Sequence, residues 1–268
     1  MKKASGDVRG DTAAYYDQFF GPLFFEPYAL EVAKRIDPAG IAVALEIAAG
    51  TGRVTRHIRE RIPPQAKLIA SNINEDMLQE AKKKLSHLAI DWQHIDAQQL
   101  PFADNSIDLV VCCFGYMFVD NKPKAFAEAC RVLRPGGQFI LTTWDRLEQN
   151  GAAFITRSIA KEYLKEPLPA SYATATSMND EKIIAQLIKD AGFSKNRVEK
   201  VKQSSVSPSA KEAAYGLVEG GLFYQEIEKQ NPAWIEEIKR KVEKELGEKF
   251  GKAPMVAPIS AVIGQAWK

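Results

Sequence analysis

Short apolar runs alternate with amphipathic stretches through the first 145 residues of the chain. Ile41 to Leu45 reads as a strand, and Arg53 to Arg61 as a helix closed by Pro63-Pro64, which cannot continue it. Lys67 to Ser71 predicts a second strand. Glu75 to His87 predicts a helix, with Asn74 placed to cap it and Met77, Leu78, Ala81 and Leu85 at helical spacing. A third short strand spans Ile90 to Ile95. Ile107 to Phe114 is almost continuously apolar, as expected of a central parallel strand covered on both faces. Pro123 to Val132 reads as a helix ended by Arg134-Pro135-Gly136-Gly137, and Gln138 to Trp144 as a fifth strand. This alternation predicts an α/β fold with right-handed crossovers.

After Asp145 the pattern changes. Residues 151–166 and 180–191 read as helices, the second closed by Gly192. Val198 to Val206 is a weak strand signal. Residues 209–250 are helical and increasingly charged, interrupted at Gly220-Gly221 and Asn231-Pro232, and Met255 to Trp267 returns to strand-like sequence. Two late strands bracketing a helical insertion would extend the sheet. The expected organisation is one domain over residues 1–268: N-terminal lid helices to residue 36, a ligand-binding core over 37–145, and helical cap insertions at 146–180 and 209–252.

The chemistry concentrates where the first strand meets the first helix, at Leu45-Glu46-Ile47-Ala48-Ala49-Gly50-Thr51-Gly52. In a doubly wound sheet this junction faces the carboxyl edge of the strands, where ligands bind. Small residues let the backbone approach a ligand, and the first helical N–H groups favour an anionic group.

Composition narrows the partners. The chain has 268 residues, with 36 basic against 34 acidic side chains and a formal charge of +2. That near balance argues against an extended phosphate-binding surface, so no nucleic acid is expected. Lys82-Lys83-Lys84 and Lys239-Arg240-Lys241 read as solvated helix faces. No apolar h-region precedes Tyr15, and no apolar run approaches the ~18 residues of a membrane span. Three cysteines, Cys112, Cys113 and Cys130, make no disulfide framework and lack metal-ligand spacing, so a reducing cytoplasm is the expected compartment.

With those junctions placed, five segments resemble the class I S-adenosylmethionine-dependent methyltransferases, most closely the small-molecule group that includes quinone-biosynthesis enzymes. They are residues 45–52, Asn72-Ile73-Asn74-Glu75-Asp76-Met77-Leu78, residues 96–108, Phe114-Gly115-Tyr116-Met117-Phe118-Val119-Asp120, and residues 128–137. The resemblance covers residues 40 to 145 well and the rest loosely. It implies a doubly wound seven-stranded sheet in order 3-2-1-4-5-7-6, mostly parallel with the last strand antiparallel, and a helical cap. It also implies S-adenosylmethionine as cofactor and S-adenosylhomocysteine as product.

Carried over residue by residue, the resemblance puts Glu46 near the methionine part of the cofactor, whose amino group is cationic. Ala48, Gly50, Thr51 and Gly52 form the turn. Ala48 stands where many relatives carry glycine, which requires a negative φ there. Asn72 replaces the usual acidic ribose ligand and offers one carbonyl acceptor without charge. Ile73 and Met77 would flank the adenine, Asp96 would accept from its exocyclic amine, and Ala97 would give a backbone N–H to the ring. Asp96 equally suits capping of the following turn. Phe114 and Gly115 would face the transferred methyl, with Met117 and Phe118 lining the cavity or the core. Tyr16, in the segment Ala14 to Phe20, would reach the cofactor from a lid helix, or that helix only packs on the core.

No catalytic residue and no metal ligand is implied. His57, His87 and His94 have no partner legible in sequence, and methyl transfer from a sulfonium depends mainly on alignment. The expected reaction is in-line methyl transfer to a small, partly apolar acceptor, the cap aromatics Phe19, Phe20, Phe24, Phe25, Trp144, Tyr163, Tyr172 and Tyr215 offering it surface. Two alternatives stand beside it. An NAD(P)-dependent oxidoreductase would use the same G-x-G, although Thr55 replaces its third glycine and Asn72 its acidic ribose ligand. A non-catalytic scaffold or regulator of the same fold is the other. The acceptor atom and the oligomeric state, homodimer or otherwise, are not fixed by sequence.

Overall fold

The computed structural model describes residues 16–164, 170–221 and 223–268. Its strands are β1 (Val43–Ile47), β2 (Lys67–Asn72), β3 (Asp91–His94), β4 (Ile107–Cys113), β5 (Leu133–Trp144), β6 (Lys195–Ser207) and β7 (Met255–Trp267). The helices of six or more residues are α1 (Glu26–Arg35), α2 (Arg53–Arg61), α3 (Glu75–Lys84), α4 (Lys122–Val132), α5 (Gly151–Ala160), α6 (Ala170–Ala175), α7 (Glu181–Asp190), α8 (Ala210–Glu219), α9 (Tyr224–Gln230) and α10 (Trp234–Phe250). All seven strands form one sheet in the order β3-β2-β1-β4-β5-β7-β6, as the resemblance implies. The pairs β1–β2, β2–β3, β1–β4 and β4–β5 are parallel, and β7 runs antiparallel to β5.

The chain divides into two compact units. The sheet unit comprises residues 29–144, 177–201 and 261–268. Its central strands are dry on both faces, with Leu45, Leu109, Val110, Phe139 and Ile140 fully buried. Each such side chain contributes about 1.5–3 kcal/mol, which is why these segments read as unbroken apolar runs. Asn74 caps α3, its side chain accepting from the Met77 amide at 3.0 Å, and Asn121 caps α4 in the same way. Arg35 ties α1 to β6 through Glu199 at 2.7 Å.

The helical unit comprises residues up to 28, 145–176 and 202–260. Here α8, α9 and α10 break at the predicted Gly-Gly and Asn-Pro positions. Lys239 of α10 is buried, paired with Glu219 and Glu236, and lies 3.9 Å from the centre of the Tyr215 ring. Burial works against its charge, but the hydrogen bonds to the two carboxylates outweigh it and hold the amine above its ordinary range. The aromatic residues pack on one another: Phe20 lies 4.7 Å from Phe24, and Phe19 lies 6.3 Å from Tyr215.

Several boundaries differ from expectation. Strand β1 lies two residues later than predicted, because the Asp108 carboxylate takes the Ala42 and Val43 amides at 2.9 and 2.8 Å. Glu46 therefore sits inside the strand. The α3 helix stops at Lys84 rather than His87, with Leu85 as its cap. The α5 helix stops at Ala160, and residues 165 and 166 of the predicted helix lie outside the described residues. The β5 strand already begins at Leu133, which pairs with Ile107 before the register shifts to Leu109 and Gln138 across the bulged Arg-Pro-Gly-Gly segment.

Candidate functional site at the carboxyl ends of the first four strands

Strand register places Glu46 and Asn72 towards the carboxyl ends of the neighbouring strands β1 and β2. Glu46 lies between Ala70 of β2 and Val111 of β4, and Asn72 lies opposite His94 of β3. The loops that follow these strands carry Ala48 to Gly52, Ile73 to Asn74, Asp96 to Ala97 and Phe114 to Gly115.

The first loop is stitched to β2. The Ser71 hydroxyl donates to the Glu46 carbonyl at 2.9 Å, and the Ala49 amide donates to the Ser71 carbonyl at 2.8 Å. A tight turn follows, closed by the Gly52 amide on the Ala49 carbonyl at 3.0 Å. Gly52 has φ of 81°, and a Cβ there would meet Leu85 Cδ1 at 2.8 Å, so only glycine fits. At Gly50 a Cβ would meet nothing within 4 Å, so that stretch of backbone faces open space. Thr51 is buried between them.

The requirement for a negative φ at Ala48 is overturned: its φ is 59°. The position keeps the left-handed geometry that favours glycine, and the alanine methyl sits in it under strain of about 1–2 kcal/mol. Phe114 has φ of 56°, an outlier for a bulky residue. Its amide donates to the Thr142 carbonyl at 2.9 Å, and its ring stacks on Trp144 with centroids 3.9 Å apart. A Cβ on Gly115 would fall 2.5 Å from the Ala48 methyl and 2.8 Å from Cys112 Sγ. The loops after β1 and β4 thus touch, and the contact depends on Gly115 having no side chain.

Glu46 is 1% exposed, and its Oε2 has no hydrogen-bond partner. Burial pushes its carboxyl up to about 8, while the neighbouring Thr55 hydroxyl pulls the other way without reaching hydrogen-bond geometry. Burial likewise pushes the Cys112 thiol up to about 12 and raises Cys113, so both stay protonated. Thr55 and Ser71 were not singled out from sequence. Ser71 announces itself only as a polar residue ending an apolar strand beside Asn72, and Thr55 only as the residue at the third-glycine position.

At β2, Asn72 is buried and its Nδ2 donates to the Asn74 carbonyl at 3.2 Å. That bond fixes the amide and leaves Oδ1 as the group able to accept. Ile73 is 57% exposed, and its carbonyl lies 2.9 Å from His94 Nε2. Met77 is partly exposed in the first turn of α3. After β3, Asp96 Oδ1 accepts from the Gln98 amide at 2.8 Å, the turn-capping geometry, and Ala97 is buried. Met117 is buried, whereas Phe118 is 42% exposed. His57 lies 3.5 Å from Glu60 on the face of α2. Tyr16 begins a short π-helical turn, and its side chain, like the segment before it, lies outside the described residues. Among the described residues no group of three or more His, Cys, Asp or Glu is placed to hold a metal.

Residues 45–141 match the Methyltransferase domain family. A ubiquinone/menaquinone biosynthesis C-methyltransferase of Desulfotalea psychrophila is 33% identical over 178 residues, which span 60% of this chain and 69% of that protein. The chain belongs to the class I S-adenosylmethionine-dependent methyltransferases. A second relative of the same name, from Francisella tularensis subsp. novicida, is 28% identical over 217 residues, 72% of this chain and 84% of that protein. Among solved structures, a Haemonchus contortus phosphoethanolamine N-methyltransferase 2 shares the fold with a TM-score of 0.62 at 16% identity. That match covers 97% of this chain and 57% of the other. Membership in this methyltransferase family decides against the oxidoreductase. The cofactor is S-adenosylmethionine. Among the described residues no helix is long and apolar enough to cross a membrane.

Proposed function

We infer that this methyltransferase holds its cofactor in the loops after β1 to β4 and transfers the methyl in line to a small, partly apolar acceptor. The observation that carries the placement is the buried, unpartnered Oε2 of Glu46 at the end of β1, beside a backbone turn that opens at Gly50. A cationic amino group is the partner such an oxygen lacks. Asn72 Oδ1 would accept from one ribose hydroxyl. Ile73 and Met77 would flank the adenine, with Asp96 accepting from its amine and Ala97 donating to its ring. When bound, the cofactor supplies a methyl on a sulfonium, a leaving group that needs no protonation. The chain's own task is then alignment, and a base is needed only if the acceptor must lose a proton.

The stacked Phe114–Trp144 pair at the ends of β4 and β5 and the exposed Ile73 favour an acceptor with apolar surface. The relatives' names make intermediates of ubiquinone and menaquinone biosynthesis the first acceptors to try. The formal charge of +2 disfavours a nucleic acid. Labelled-methyl transfer across a panel containing those intermediates tests the reading. Turnover of an apolar small molecule is expected, whereas methylation only of RNA, DNA or protein would contradict it.

A further inference from the structure

Glu46 is a buried carboxyl to which no ion pair is made among the described residues. Thr55 of α2 lies beside it without a hydrogen bond. From β4 come Val111 at its register and the thiols of Cys112 and Cys113, and from β2 come Ala70 and Ser71. None of these carries charge at neutral pH. Its Oε2 has less than 1 Å² accessible and no partner.

We propose that Glu46 is a proton-exchanging ligand of the cofactor: it stands neutral in the free protein and gives its proton to solvent when an ammonium docks beside its unpartnered oxygen. The proposal rests on the placement of the methionine end given above. The O–H bond of the carboxyl breaks, the proton leaves to water, and a carboxylate–ammonium pair takes its place. Burial without a counter-charge disfavours the carboxylate, and a cation within a few ångströms reverses that preference. The upward push of the Glu46 carboxyl to about 8 agrees with a group still protonated at neutral pH. Capture of the cofactor then strengthens with pH, a property that a carboxylate ionised throughout would not confer.

Calorimetry of S-adenosylhomocysteine binding in buffers of different ionisation heat reads the exchange directly. At about pH 6.5, where an α-ammonium is intact, release of about one proton per ligand is expected, with affinity rising about tenfold per pH unit towards pH 7.5. Glu46→Gln is expected to bind with no proton release and a flat pH profile. An infrared difference spectrum of the wild-type protein supplies a reading independent of the variant: loss of a protonated carboxyl band on binding. Binding with no proton released, or release persisting in Glu46→Gln, overturns the proton exchange. The cofactor placement survives the first of these results. Absence of any heat or competition overturns the placement, and the exchange with it.

Discussion

Asn72 stands where the resemblance implies an acidic ribose ligand, and the structure gives the asparagine a local role. Its Nδ2 donates to the Asn74 carbonyl, and an aspartate would set an oxygen against that carbonyl at 3.2 Å. Asn72→Asp is therefore expected to lower the thermal midpoint of the free protein while tightening S-adenosylhomocysteine binding by about 1 kcal/mol, as a charge-assisted bond replaces a neutral one. Calorimetry and thermal melting on one preparation check both signs. Glu46 carries a second consequence, in stability. Its carboxyl titrates near 4.5 in the unfolded chain and is pushed up to about 8 in the folded one, so the folded state holds the extra proton between those values. Stability contributed by this residue falls as pH rises through that window, by up to about 1.4 kcal/mol per unit, and levels off above it. Urea midpoints of the wild type relative to Glu46→Gln are expected to decline from pH 5 to 8. Glu46 was legible as a candidate, because an acid ending an apolar run is conspicuous and the resemblance puts it near the methionine part of the cofactor. Its burial was not, because the Asp108 carboxylate that shifts β1 belongs to another strand.

Between elements, the contact that shapes the site is the loop after β1 against the loop after β4. Gly115→Ala would drive a methyl into the Ala48 methyl and Cys112 Sγ. It is expected to weaken S-adenosylhomocysteine binding and lower stability by about 1–3 kcal/mol. Ala48→Gly alone relieves left-handed strain and raises stability by about 1 kcal/mol. Combined, the two substitutions are expected to recover part of the Gly115→Ala loss, a non-additivity that a double-mutant cycle in urea measures. Asp96→Ala probes the loop after β3. Loss of a charged acceptor for the adenine amine is expected to weaken binding by about 1–3 kcal/mol by calorimetry, and unchanged affinity would mean the adenine is misplaced. Sequence showed the loops after β1 and β4 because each follows an apolar run, whereas the loop after the polar β3 was placed by the resemblance at Asp96. It could not show that Ala48 is left-handed, since the geometry is imposed by a turn whose closing bonds come from Ser71 and Gly52.

Across the whole chain, the alternation of apolar runs and amphipathic helices made the α/β class and its first five strands readable, whereas the order of the seven strands came from the resemblance of five motifs in family order. The late strands were the weakest part of that reading. In β6 exposed residues prevail, and its apolar positions are too sparse to set a period. The division into a sheet unit and a helical unit was only partly legible. The break after residue 145 marks a change of pattern, but the sheet unit reclaims residues 177–201 and 261–268. The sheet unit carries the family match and the described residues proposed to hold the cofactor. On the proposed placement, the loops after β1 to β4 together hold S-adenosylmethionine. The most direct test is the crystal structure of the S-adenosylhomocysteine complex. The amino-acid end is expected beside Glu46 and Gly50, a ribose hydroxyl on Asn72, and the adenine against Ile73, Asp96 and Ala97. Ligand density at any other place on the chain would contradict it.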